Sequence, residues 1–263
     1  MRIITLTTDF GVADWFVGTM KGVILGLQPR AQIVDITHEI PAGDLRAGAF
    51  ALAASYNFFP KRTVHVAVVD PGVGGRRRAI AVQTANYIFV GPDNGVLSLA
   101  LAGEKIKAIH EITNARLFLH PVSHTFHGRD VFAPVAAKLS QGLPLTKVGV
   151  PIKEFVKLSW PKPLRNANSI QGEIAYIDRF GNAITNIANT ALTARAEGAC
   201  EIIVRGKRLC GVQPFYQAVP NGNAVAVPGS SGFLELAVNA GSIARKFNLT
   251  VGERVIVRCT RRR

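Results

Sequence analysis

The segment Asp70-Pro71-Gly72-Val73-Gly74-Gly75-Arg76-Arg77-Arg78 places a carboxylate at the head of a glycine-rich turn and three guanidinium groups at its tail. Glycines let a backbone approach a ligand closely, and the arginines add fixed positive charge, so the loop suits polar chemistry on a bound small molecule. It is not a triphosphate cradle. The Gly-Lys-Ser/Thr ending that grips phosphate and magnesium is missing, and no GxGxxG follows the first apolar run. Further polar groups gather in Thr7-Thr8-Asp9-Phe10-Gly11 with Asp14, in Thr37-His38-Glu39, in Gly91-Pro92-Asp93-Asn94-Gly95 and in Thr125-Phe126-His127-Gly128-Arg129-Asp130. His127, between Phe126 and Gly128, reads as an accessible imidazole in a partly apolar setting. Each cluster alone has a plainer reading, since an Asp after a strand often caps a turn and a lone His is more often a packing residue.

The elements that must position these groups follow from hydrophobic periodicity. IITLTT (3–8), AQIVDIT (31–37) and TVHVAVVD (63–70) read as strands. Helical spacing runs from Asp14, a candidate N-cap, to Gln28, and again over 44–59, where Pro60 closes the pattern. Strands alternating with helices argue for a mainly parallel sheet covered by helices, whose ligands bind beyond the carboxyl ends of the strands. AIAVQT and YIFVGP flank Ala85-Asn86 as a hairpin, and 128–142 reads as a helix with Pro134 early in it. Four prolines between 143 and 169 mark an extended connection. Beyond it, GEIAYID, NAITNI, CEIIVRG, AVAVPG, GFLELAV and ERVIVRC are short strand-like runs of a small β-barrel. The expectation is an α/β fold in two domains: an N-terminal α/β/α sandwich domain at 1–160, including the start of the linker, and a C-terminal β-barrel domain at 161–263.

Composition excludes other classes. A chain of 263 residues that is 48% hydrophobic and 18% charged is globular, and no apolar run approaches a membrane span. The N-terminus lacks the apolar core of a signal peptide, so a cytoplasmic location is expected. Three cysteines without a CxxC pair indicate neither a disulfide framework nor a zinc site, and buried free thiols are expected. The net charge of +14 invites a nucleic-acid reading, but the excess is spread over both halves and no aromatic residues interleave the arginine runs, so a solvated basic surface is the better account.

Taken in order and spacing, TTDFG (7–11) with Asp14, ITHEIP (36–41), VVDPGVGG with Arg77-Arg78, GPDNGVL (91–97), TFHGRDVFAP (125–134), IDRFGNAITN (177–186) and SSGFLELAVNAG (230–241) resemble the S-adenosyl-L-methionine (SAM) hydroxide adenosyltransferase family, and more distantly the SAM-dependent fluorinase and chlorinase. The resemblance implies a homotrimer with ligand held between one subunit's N-terminal domain and its neighbour's C-terminal domain. It also implies a reaction in which water attacks the ribose C5′ of SAM to give adenosine and L-methionine, with SAM as substrate, no cofactor and no metal.

By the same resemblance, Asp70, Arg77 and His127 form the water-activating trio. Asp9 would meet the ribose hydroxyls, with Asp14 in the same segment. Asp178 would pair with the methionine ammonium, and Asn182 beside Phe180 would take the adenine edge. Ser230 would bind the methionine carboxylate, and the Asn239-Ala240 backbone would add an adenine contact. Which of Asp70 and His127 takes the proton stays open at this level. The alternatives are a SAM-dependent halogenase and a non-catalytic nucleoside- or nucleic-acid-binding protein. A carboxylate beside the attack line would repel a halide, and a protein without turnover has no use for the trio.

Overall fold

Isoleucine and leucine alternate with threonine from Ile4 to Thr7 in the first strand, β1 (Ile3–Thr8), and both of its faces are buried beneath helices. The structure, a computed structural model, describes residues 3–193 and 200–259. Contacts divide the chain into two units, Met1–Leu158 and Ser159–Arg263.

In the first unit, β1 is followed by α1 (Phe16–Leu27), β2 (Gln32–Thr37), α2 (Leu45–Ala53), β3 (Val64–Val68), β4 (Ala79–Thr84), β5 (Ile88–Pro92), α3 (Ser98–Ala102), β6 (Ile106–Ile112), a single π-helical turn (Gly128–Phe132) running into α4 (Ala133–Ser140), and β7 (Gly149–Pro151). The seven strands lie in the order β2-β1-β3-β5-β4-β6-β7. From β2 to β5 the strands are parallel. The hairpin expected at Ala85-Asn86 turns the chain, and β4, β6 and β7 complete the sheet antiparallel. Ile4, Leu6 and Val66 of the sheet pack with Met20 and Ile24 of α1 and Phe132 and Leu139 of the α4 segment.

Two helices differ from the sequence reading, one at its start and one at its end. Asp14 is exposed and does not cap α1, whose N-cap is Trp15 without a side-chain bond. The chain bends from Val12 to Trp15 before it enters the helix, so the helical spacing begins ahead of the helical backbone. Asp44 does cap α2, accepting from the Ala47 N–H at 3.0 Å, but that helix ends at Ala53 and a 3-10 turn fills the stretch before Pro60.

The second unit holds β8 (Leu164–Arg165), β9 (Ser169–Ile177), β10 (Ala183–Ala188), α5 (Asn189–Thr193), β11 (Cys200–Val204), β12 (Lys207–Cys210), β13 (Ala224–Pro228), β14 (Phe233–Val238), α6 (Ile243–Phe247) and β15 (Arg254–Cys259). The order β12-β11-β15-β9-β10-β14-β13 is antiparallel throughout, with β8 paired to β9. A bridge from Val212, just after β12, to Ala226 in β13 links the two ends of this path into a nearly closed barrel. Ile170, Ile174, Leu234, Leu236, Val255 and Val257 fill its core. Cys200 is disulfide-bonded, which corrects the expectation of free thiols. Cysteine spacing along a chain does not report which strands a barrel sets side by side. No helix among the described residues is long and apolar enough to cross a membrane.

Candidate active site

Register places the first cluster. Thr8 of β1 lies opposite Val68 of β3, so Asp9 and Asp70 leave adjacent parallel strands at the same edge of the sheet. The Asp70 side chain is 4% exposed and that of Arg77 12%. The Arg77 Nε donates to both carboxylate oxygens, at 2.9 and 3.0 Å, and an Nη group binds the carboxylate as well. The same Nη group lies 2.8 Å from His127 Nδ1. A guanidinium only donates, so Nδ1 accepts and a neutral imidazole carries its proton on Nε2. Burial, reinforced by the Arg77 charge and opposed by Asp70 and Asp130, holds His127 below the usual histidine range. The carboxylate is thus oriented by its own counter-ion, while the imidazole is kept neutral with an N–H pointing away from the pair.

Three local features bring these groups together. Gly74 has φ +74°, and a Cβ there would collide with the carbonyl oxygen of His124, so the glycine-rich loop closes against the segment that ends in His127. Backbone proximity to protein, not to phosphate, is what this glycine serves. The GPDNGVL segment proves to be scaffolding: Asn94 Nδ2 donates to the Val69 carbonyl at 2.8 Å, immediately before Asp70, and Asp93 accepts from Arg78 Nε at 2.8 Å and from the Val156 N–H at 2.7 Å. Arg78 is therefore structural where Arg77 is not. His127 precedes the π-helical turn, whose Phe132 ring lies 5.6 Å beneath the Arg77 guanidinium. Buried Asp130 ties that turn to the preceding loop through the Ser123 N–H at 2.8 Å. Asp9 accepts from the Gly43 N–H at 2.8 Å and remains half-buried, whereas Asp14 stands in solvent, with no bond to the trio among the described residues.

The remaining predicted residues gather in the second unit. Asp178, Phe180, Asn182, Ser230, Asn239 and Ala240 all line one cavity of about 1290 Å³. Asp178 Oδ1 accepts from the Asn182 N–H at 2.8 Å and Oδ2 from Asn182 Nδ2 at 3.1 Å, closing a turn around Gly181. That bond orients the Asn182 amide, leaving its oxygen as an acceptor. Phe180 is 76% exposed, a flat apolar surface free for stacking. Ala240 holds φ +58°, a strained angle for a residue with a Cβ. Phe215, Tyr216, Glu235 and Arg245 line the same cavity and were not singled out from sequence. The available signal was Glu235, a lone acid within the apolar run GFLELAV.

Fold and site define a class: an α/β unit with a carboxylate–guanidinium–imidazole trio at its sheet edge, joined in one chain to an antiparallel barrel unit with an aromatic, acid-lined cavity. Models of the SAM hydroxide adenosyltransferase N-terminal and C-terminal domains match residues 4–149 and 172–256. The chain belongs to this family. It is 39% identical over 259 residues to a protein of Salinispora arenicola named (R)-S-adenosyl-L-methionine hydrolase, covering 97% of each chain. A fluorinase of an Actinoplanes species is 29% identical, again over 97% of both. A solved structure of an uncharacterised conserved protein from Thermotoga maritima superposes with a TM-score of 0.92 at 37% identity, covering 98% of this chain and all of that one.

Proposed function

We propose that the protein hydrolyses SAM by attack of water on the ribose C5′, giving adenosine and L-methionine, and that it is an enzyme of the hydrolase branch of its family. The observation that carries this reading is Asp70 clamped by Arg77, with His127 on the other side of the same guanidinium. The leaving group is a neutral thioether expelled from a sulfonium, so no general acid is needed. The protein has to exclude bulk water, align one water in line and accept its proton. Asp70 is the acceptor. His127 already spends Nδ1 on Arg77, so its Nε2–H donates to the water oxygen and turns a lone pair toward C5′. A halide would meet the Asp70 carboxylate, with repulsion on the order of several kcal/mol where screening is weak.

The substrate contacts follow the matched motifs. Asp9 meets the ribose hydroxyls, with Asp14 of the same segment as an adjunct. Asp178 takes the methionine ammonium, and Asn182 offers its amide oxygen to the adenine amine beside Phe180. Ser230 takes the carboxylate and the Asn239-Ala240 backbone the adenine edge. SAM is the substrate and no cofactor enters the chemistry. With the trio in domain 1–160 and the cavity residues in domain 161–263, a homotrimer whose sites combine neighbouring subunits, in the cytoplasm, completes the reading. Asp70→Ala and His127→Ala are expected to lose turnover while still binding SAM in a calorimetric titration. Full activity in both variants would show the trio to be misassigned.

A further inference from the structure

The cavity of the second unit contains a carboxylate that the contacts above leave unused. Glu235 lies in β14 opposite Ile184 of β10, on the face away from the core pair Ala183 and Leu236. It is only 6% exposed, and an acid so placed is costly unless it is paired. Its partner is a phenol: Tyr216 Oη donates to Oε1 at 2.6 Å. A neutral donor orients the carboxylate without cancelling its charge. The other oxygen, Oε2, receives no hydrogen bond among the described residues, and it faces Gly229, where a Cβ would come within 2.9 Å of it. Burial first, and then the charge of Asp178, raise the Glu235 carboxyl above its usual range, while burial and Glu235 push the Tyr216 phenol up to about 12. Arg179 and Arg245 also line the cavity, yet neither forms an ion pair with Glu235 or Asp178 among the described residues. In the turn after Gly229, Ser231 Oγ is buried without a hydrogen-bond partner among the described residues. The cavity wall therefore carries two carboxylates and two guanidinium groups that do not pair with one another among the described residues, and an unmet hydroxyl.

We propose that Glu235, aimed by Tyr216, is a second recognition carboxylate for the α-ammonium of the substrate, shared with Asp178. The assignment rests on the proposed function, since the ammonium belongs to SAM. An ammonium offers three N–H donors, and Asp178 already commits both oxygens to Asn182, so Glu235 Oε2 is the freer acceptor. A Gln at this position keeps the shape and a bond to Tyr216 but removes the charge.

The test compares wild type, Glu235→Gln and Tyr216→Phe as full-length proteins on SAM and on its desamino analogue, in which hydrogen replaces the ammonium. For Glu235→Gln, KM for SAM is expected to rise about tenfold or more, with kcat falling less than about threefold and KM for the desamino analogue hardly moving. Tyr216→Phe, which retains the carboxylate but frees it, should give a smaller shift of the same kind and serves if the first variant does not fold. Equal losses on both substrates, or an unchanged KM for SAM, would overturn the assignment. Wild-type protein that makes no adenosine from SAM would strike the proposed function itself, a distinct result.

Discussion

Arg77 does two jobs with one side chain, and lysine cannot do both. Its planar fork spans both oxygens of Asp70 while the same terminal nitrogen reaches His127. A point-charge ammonium can sit near the carboxylate but cannot also hold the imidazole in its tautomer. Arg77→Lys is expected to lower kcat about 100-fold or more, with KM for SAM changed little, as steady-state kinetics will read. The pH profile follows from the same contact. With His127 held below its ordinary value of 6.5, the neutral ring persists as pH falls through that value, and kcat should decline only at lower pH. A fall centred at or above 6.5 would contradict it. The linkage sign agrees: the unfolded chain protonates this histidine first, so its contribution to stability is present above 6.5 and is lost as pH falls below it. At this scale the polar, glycine-bearing segments that hold Asp70, Arg77 and His127 stood out in the sequence, while their grouping as a trio came from the family resemblance. Glu235 did not stand out, because one acid in an apolar run is absorbed into a strand reading, and only the fold shows which face it takes.

Among the elements, the glycine-rich loop has the most exacting backbone. Gly74→Ala meets both a positive φ and the His124 carbonyl, so loop and trio cannot keep their present arrangement. A loss of about 1–3 kcal/mol in unfolding free energy is expected from the strain alone, together with a fall in kcat. Equal stability and turnover would refute this use of the glycine. The first three strands and the hairpin at Ala85-Asn86 could be read from alternation and turn residues, since these are local, whereas the order of strands in the sheet could not. The start of α1 could not, because Asp14 has the right residue type for a cap while the exposed chain still bends from Val12 to Trp15 and turns helical only at Phe16. The π-helical turn after His127 also has no sequence period of its own. Its extra residue is visible only in the hydrogen-bond pattern.

For the whole molecule, the division of site residues between two units makes subunit exchange informative. If each site joins one subunit's Asp70 to a neighbour's Asp178, inactive Asp70→Ala and Asp178→Ala chains, refolded together at equal ratio, should recover about a quarter of wild-type sites. Absence of any recovery would argue for sites complete within one chain. The net charge of +14 contributes nothing to capturing a cationic substrate, and nothing in the structure explains it. The expected domain boundary at 160 was drawn where strands alternating with helices give way to short strand-like runs. The homotrimer came only from the family resemblance, since an interface between copies of a chain leaves no period in its sequence. The central claim is water attack at C5′, and its most direct test is turnover of SAM in ¹⁸O-enriched water containing chloride and fluoride. Water attack predicts adenosine carrying one ¹⁸O at its 5′ hydroxyl, with unlabelled methionine. A 5′-halo product, or adenosine without the label, would contradict it.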